Sequence, residues 1–200
     1  MKLYYSPGAC SLASHIALEE AGVPYSAEKV DLKEKVTETG ADFRKVSPRG
    51  AVPALELQGG DVLTEGVAIM QYVMDSAKPG SLPAVGTLGR ARLQEALNFI
   101  STEVHKTFSP FFHGLQGAAR EAQEKLLHTR LGIVEDRLAD GRAFLTGDDY
   151  SPADGYFFTV TNWAQKLGLD LSSFPRIEAL RQRVAARPAV QAAMKAEGLI

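Results

Sequence analysis

Arg49-Gly50-Ala51-Val52-Pro53-Ala54-Leu55, read with Leu63-Thr64-Glu65-Gly66-Val67-Ala68-Ile69, carries the decisive pattern of this chain. A residue that precedes proline is driven towards extended backbone, and a cis peptide bond is tolerated there and almost nowhere else. Val52 is therefore expected to offer its backbone N–H and C=O to an extended ligand, and Pro53, which lacks an N–H, keeps that edge open. Thr64-Glu65-Gly66 begins an apolar run with helical spacing. The unpaired N–H groups and the dipole at such a start attract a carboxylate, and Glu65 is placed to hold an amine. One short peptide with an amino-acid head fits both features.

On either side of this stretch, residues 1–76 alternate between strand and helix patterns. A strand near Lys2 to Tyr5 precedes a helix from about Cys10 to Ala21, which Gly22 and Pro24 terminate; a strand from about Tyr25 to Val30 follows. A short helical piece around Asp42 to Val46 leads to strands at Ala54 to Leu57 and Val62 to Leu63, joined through Gln58-Gly59-Gly60-Asp61. A helix from Glu65 to about Ser76 closes the unit. The order β-α-β then β-β-α, with a mixed four-stranded sheet, is that of a thioredoxin-like domain over 1–77. Residues 78–89 hold Pro79, Gly80, Ser81, Pro83, Gly86 and Gly89 and read as a linker. Beyond it, Arg90 to about His113, Ala118 to Leu138, Pro152 to Leu167, Phe174 to Ala186 and a short piece after Pro188 all show helical spacing, so 90–200 is expected to form an all-helical bundle domain.

Composition narrows the function classes. With 200 residues and 45% hydrophobic content, the chain can bury a full core. A net charge of −2 and a pI near 6.1 give no global field for nucleic acid, and no apolar run approaches a bilayer span. The opening Met1-Lys2-Leu3-Tyr4-Tyr5-Ser6-Pro7 lacks a signal-peptide pattern, so the cytoplasm is the expected compartment. The single cysteine excludes an intrachain disulfide and a cysteine-rich metal site, and the four histidines share no short spacing with carboxylates, so no metal is expected.

Cys10 has two readings: a packed small apolar residue, or a thiol at a helix start after the Pro7-Gly8 turn, where the dipole favours thiolate. Ser11 beside it offers a hydroxyl. With no second cysteine nearby, thiol chemistry at Cys10 requires an outside thiol. In the helix from Arg90, Leu93, Leu97, Ile100, Val104 and Phe108 share one side, and Asn98, Thr102, His105 and Ser109 share another. Such a polar stripe is either simply solvated or faces a cleft; in it only His105 changes charge near neutral pH. Lys33 and Lys35 stand in a mixed-charge loop, and Lys35 acquires a role only if a peptide held at Val52 sends a carboxylate its way. Ser151-Pro152-Ala153-Asp154 is a helix start with a capping role, and Phe157, Phe158 and Trp163 read as core, Trp163 being the exception to watch.

Taken together, Tyr4-Tyr5-Ser6-Pro7-Gly8-Ala9-Cys10-Ser11-Leu12, Gly50-Ala51-Val52-Pro53-Ala54-Leu55, Leu63 to Ile69, Asn98-Phe99-Ile100 through Glu103-Val104-His105-Lys106, and the closing Ala196-Glu197-Gly198-Leu199 resemble a bacterial beta-class glutathione S-transferase over nearly the whole chain. The resemblance implies a thioredoxin-like glutathione domain, a helical domain that completes a site for small hydrophobic electrophiles, and a homodimer. Glu65 and the Gly66 amide would then hold the γ-glutamyl head, Val52 would pair with the cysteinyl backbone before cis-Pro53, and Lys35 would meet the glycine carboxylate. Cys10 and His105 would flank the sulfur. Asn98, Thr102, Glu103, Val104 and Lys106 match positions that border glutathione, and Phe108, Phe112 and Trp163 would shape the electrophile pocket. Many relatives have serine where Gly66 stands, so here the backbone must suffice.

Under this resemblance the expected activity is activation of the bound glutathione thiol, with Cys10, Ser11 and His105 as the catalytic groups, glutathione as co-substrate and no metal. Two thiolates in contact repel, so Cys10 either shares a proton with the glutathione sulfur or forms a mixed disulfide with it. Two alternatives stand beside conjugation: a glutathione-dependent thiol oxidoreductase in which Cys10 attacks a disulfide, and a non-catalytic ligand-binding module on the same fold.

Overall fold

Strand β1 (Lys2–Tyr5) lies at the centre of a five-stranded sheet in the computed structural model, which describes residues 1–200. The order is β3-β2-β1-β4-β5, with β2 at Ser26–Asp31, β3 at Val36–Thr37, β4 at Ala54–Glu56 and β5 at Val62–Thr64. β1 runs parallel to β2, with Leu3 opposite Ala27, and antiparallel to β4, with Leu3 opposite Leu55. Successive side chains on a strand face opposite ways. Leu3 accordingly joins Leu18, Leu55, Ile69 and Val73 on one face, and Tyr4 joins Val30, Phe43, Val52 and Ala54 on the other.

The sheet has one strand more than the four expected. β3 is two residues long, pairs with Val30 and Asp31, and follows the charged turn that carries Lys33 and Lys35. Two residues leave no alternation to read. Helices α1 (Ser11–Ala21) and α2 (Gly66–Ala77) cover the Leu3 face, and a 3-10 turn at Phe43–Lys45 sends Phe43 under the other.

A second departure concerns the end of the chain. Residues Ser11 to Leu18 of α1 are all buried, so that helix needs cover beyond the sheet and α2. Helix α9 (Pro188–Ala196) supplies it, and Arg187, just before α9, forks onto Glu20 at the end of α1, with Nε to Oε1 at 2.5 Å and Nη2 to Oε2 at 2.8 Å. Residues Arg187–Ile200 thus group with Met1–Leu82, and Pro83–Ala186 forms the other compact unit. This grouping differs from the expected division, in which 90–200 forms one helical domain. The boundary falls between Leu82 and Pro83, within the breaker-rich stretch.

The second unit holds α3 (Leu88–Phe99), α5 (Gly117–Arg137), α6 (Pro152–Thr161), α7 (Trp163–Leu167) and α8 (Pro175–Ala185). The single helix expected from Arg90 to His113 is instead α3, a wider π turn at Ile100–His105, a short α4 (Lys106–Phe108) and a 3-10 turn at Ser109–His113 that contains Pro110. Its apolar series holds nonetheless: Leu93, Leu97, Ile100, Val104 and Phe108 are all buried. No helix is long and apolar enough to cross a membrane.

The start of α6 is tied down by one carboxylate. Asp154 Oδ1 accepts the Leu145 N–H at 2.7 Å, and Oδ2 accepts the Ser151 N–H at 2.8 Å and the Ser151 hydroxyl at 2.9 Å. All these partners are buried, and a buried donor left unpaired costs about 1–3 kcal/mol. Asp154→Ala, which strands three donors, is expected to destabilise the protein by roughly 3–5 kcal/mol in urea unfolding, and Asp154→Asn by about half as much. A loss below about 1 kcal/mol for the alanine variant would contradict this role.

Candidate functional site

In the first unit the residues singled out from the sequence come together around the Val52–Pro53 bond, which is cis. The Ser6–Ala9 turn, closed by the Ala9 N–H on the Ser6 carbonyl at 3.0 Å, delivers Cys10 to the N-cap position of α1. The Cys10 thiol donates to the Val52 carbonyl at 3.4 Å. That carbonyl, expected to face a ligand, is therefore shared with the cysteine; no bond to the Val52 N–H forms within the chain.

Lys35 reaches the same corner from the turn between β2 and β3. Its backbone is left-handed, φ 59°, and its ammonium donates to the Gly50 carbonyl at 2.8 Å. Gly50 is itself at φ 59°, and a Cβ there would stand 2.9 Å from Lys35 Cδ, so glycine is required both by conformation and by the passing lysine. On the other side of Pro53, Gly66 begins α2: a Cβ at residue 66 would meet Pro53 Cγ at 3.5 Å and Ser14 Oγ at 3.7 Å. Glu65, the N-cap residue, is held at φ 67°, a region that costs a non-glycine residue about 1–3 kcal/mol. Its carboxylate is exposed and pairs with Arg49, also exposed. Such a surface pair contributes little, so the Glu65 carboxylate is not firmly committed to Arg49.

Ser11 does not fit the donor role expected of it. It is fully buried, and its hydroxyl accepts the Ser6 N–H at 3.1 Å and donates to the Ser6 carbonyl at 3.3 Å. It closes the turn that presents Cys10, and no proton is left over for a sulfur.

The second unit groups His105, Tyr156, Trp163, Phe108 and Phe112. His105 Nδ1 lies 2.8 Å from the Tyr156 hydroxyl, and its ring meets Trp163 edge-on at 4.9 Å between centroids. Phe108 and Phe112 pack against Trp163 at 5.8 and 5.3 Å. Phe108 is fully buried and backs the indole, whereas Phe112 is 46% exposed. Burial lowers the His105 pKa to about 4, and the Lys106 charge acts the same way. The expectation that His105 changes charge near neutral pH is thereby corrected: it is a neutral imidazole there.

Of the other predicted contacts on this segment, Asn98, Thr102 and Lys106 are exposed, with the Thr102 hydroxyl turned back onto the Asn98 carbonyl at 3.0 Å. Glu103 pairs with Arg130 at 2.8 Å. Val104 is completely buried in the core of its unit, so its side chain cannot touch a ligand. Four further residues bear on these groups: Arg49, Tyr156, Ser14 and Glu197. Arg49 and Glu197 lie inside stretches quoted above, but their roles, like those of Ser14 and Tyr156, are set by contacts remote in sequence.

With this geometry in view, comparison with known proteins is unambiguous. Residues 8–76 match the glutathione S-transferase N-terminal domain and residues 99–188 the glutathione S-transferase C-terminal domain. The chain belongs to the glutathione S-transferase family. It is 45% identical to glutathione S-transferase GstA of Escherichia coli O157:H7 over 201 residues, covering 100% of both chains. Its fold matches a bacterial beta-class glutathione S-transferase of Sphingomonas chungbukensis (TM-score 0.94, 44% identity, 100% of each chain). It also matches a sphingomonad glutathione S-transferase solved in complex with glutathione (TM-score 0.91, 43% identity, 100% of each chain).

Two measurements test this description. The His105 ring is expected to titrate by NMR near pH 4, well below an ordinary histidine. Because the unfolded chain binds that proton first, stability should fall as pH drops from about 6.5 towards 4; a midpoint above 6 would refute the buried neutral ring. Gly66→Ser is expected to stabilise the protein by about 1 kcal/mol, since it removes a glycine from the first turn of α2 and brings a hydroxyl towards Ser14 Oγ, which is buried without a partner. A loss of stability in thermal unfolding would show that the space above Gly66 is closed.

Proposed function

We propose that this glutathione transferase binds glutathione along the Val52 edge and activates its thiol for attack on small hydrophobic electrophiles. The observation that carries the reading is the contiguity of four features in the first unit. These are the Lys35 ammonium at the Gly50 carbonyl, the unengaged Val52 N–H, Cys10 at the Val52 carbonyl, and the Glu65–Gly66 helix start packed beside Pro53. They present, in order, a cation for a terminal carboxylate, a backbone pair for an extended residue, a thiol, and a carboxylate with free helix N–H groups for an amino-acid head. A tripeptide with carboxylates at both ends and a sulfur between them matches that order.

In conjugation the glutathione sulfur, freed of its proton to solvent, attacks the electrophilic carbon; a carbon–sulfur bond forms and the leaving group departs with the bonding pair. Donors fixed before reaction stabilise the thiolate without reorganisation. In thiol–disulfide exchange, Cys10 thiolate attacks one sulfur of glutathione disulfide, forms a mixed disulfide and releases a glutathione thiolate. The exposed face of Phe112 on Trp163 is our candidate seat for the electrophile, and His105 the candidate neutral partner of the glutathione thiol. Asn98, Thr102, Glu103 and Lys106 remain candidate glutathione neighbours. We take the protein to act as a homodimer, as the beta-class resemblance implies, in the cytoplasm.

Glutathione binding is expected to give measurable heat in calorimetry, and Glu65→Ala is expected to weaken it by about 10–100-fold, the loss of one charge-assisted contact. Cys10→Ala should keep much of the conjugation of an aryl chloride while losing all covalent attachment of glutathione, read by mass spectrometry. No heat of binding in the wild type would overturn the reading. Complete loss of conjugation in Cys10→Ala would contradict it too, and mixed-disulfide reduction without conjugation in the wild type would instead favour the thiol oxidoreductase.

A further inference from the structure

The sequence Met194-Lys195-Ala196-Glu197-Gly198-Leu199 ends α9 in a Schellman cap. The Gly198 N–H bonds the Lys195 carbonyl at 3.0 Å, the Leu199 N–H bonds the Met194 carbonyl at 2.9 Å, and Gly198 takes φ 69° to allow it. This cap fixes where its two flanking side chains point. Glu197, whose side chain is 0% exposed, accepts the Gly8 N–H through Oε2 at 2.8 Å, and its Oε1 lies 2.9 Å from Nδ1 of His15, 1% exposed. Leu199 lies against the same glycine: a Cβ added to Gly8 would stand 3.4 Å from Leu199 Cδ2. Gly8 belongs to the turn that delivers Cys10, and His15 lies in α1, which begins directly after Cys10. One buried carboxylate from the far end of the chain thus joins the turn before the cysteine to the helix after it.

We propose that Glu197 is a positioning residue for Cys10: it fixes the Ser6–Ala9 turn through the Gly8 N–H and the first turns of α1 through His15, and so sets where the sulfur stands. A buried carboxylate is costly to keep in an apolar core. Here it accepts from a main-chain N–H and a ring nitrogen, with Tyr5 and Tyr25 packed on the imidazole at 5.5 Å each and the Tyr25 hydroxyl turned to Glu19. A neutral packing residue would hold α9 on α1 without that cost, but it would remove the carboxylate oxygen that the Gly8 N–H reaches and with it the tie between this turn and His15. The ligand-gripping groups at Lys35, Val52 and Glu65 make none of these contacts, so Glu197 acts on the cysteine and not on affinity.

This inference rests on the reading that Cys10 stands at the glutathione sulfur, and the experiment separates the two. The rate at which glutathione disulfide modifies Cys10 is measured by mass spectrometry on folded protein, alongside the calorimetric affinity for glutathione. Glu197→Ala is expected to slow modification at least tenfold while affinity stays within threefold. Glu197→Gln is expected to recover the rate to within threefold of wild type, since its amide oxygen accepts the Gly8 N–H and its NH₂ donates to the other tautomer of His15. A Glu197→Ala protein that is less stable but modified at the wild-type rate would overturn the proposal, as would a glutamine variant as slow as the alanine one. Should Glu197→Ala fail to fold, hydrogen exchange of the Gly8 amide in the wild type decides: protection at least a hundredfold above an open turn is expected, and free exchange overturns it. If saturating glutathione leaves wild-type Cys10 equally open to iodoacetamide, the reading of the site fails, whatever the Glu197 variants do.

Discussion

The burial of α1 on every side is the constraint from which the arrangement of the first unit follows. Eight successive residues, Ser11 to Leu18, are out of solvent, among them two serines and a histidine. A helix without a polar face has to be enclosed by several partners, and each enclosing element then gains a fixed relation to its N-terminus. The sheet and α2 close two sides, which brings the cis Val52–Pro53 corner and the Gly66 helix start to the end of α1 that carries Cys10. Helix α9 closes the remaining side and brings Glu197 to Gly8 and His15. The same packing that stabilises the unit therefore assembles the groups that would grip a ligand.

How much of this was legible in the sequence depended on the range of the interaction concerned. The Val52–Pro53 corner, the helix start at Gly66 and the Cys10 turn are written in neighbouring residues, through the backbone preferences of proline and glycine and the orphan groups of helix ends. Their mutual approach was legible only because the β-α-β then β-β-α order allows few arrangements. β3 is not legible because two residues carry no period, and the grouping of α9 with the first unit is not legible because a helix's own spacing shows which face it buries but not against what. Ser11 shows the limit of residue type as a guide. A hydroxyl beside a thiol suggests chemistry, yet this one satisfies both backbone groups of Ser6.

His105 marks a different limit. Its residue type suggests titration near neutrality, but the Trp163 and Tyr156 rings remove the water that would stabilise its charge. The segment carrying it is a π turn, which seats an extra residue and swings the following side chains relative to a regular helix. The buried series from Leu93 to Phe108 holds through it because it spans the turn, with Leu97 locked in the core before it and Phe108 after it. A neutral imidazole keeps one ring nitrogen as donor and the other as acceptor.

Gly66 and Glu65 illustrate how a site can rely on main chain where side chains are missing. With no side chain at residue 66, the first turn of α2 presents bare N–H groups beside Pro53, and nothing competes with a ligand for them. The neighbouring Glu65 holds an unfavourable φ, a strain that only the surrounding fold maintains. Strain of this kind is retained where a side chain must leave the helix start in a particular direction, and here it sends the carboxylate out to the exposed Arg49. An exposed ion pair is weak enough to be displaced, whereas a buried one would cost the ligand a charge left unpaired. Under the function proposed above, a rigid backbone donor set with a loosely held acid would suit a zwitterionic head group, since the exposed pair it would displace is one that water already screens.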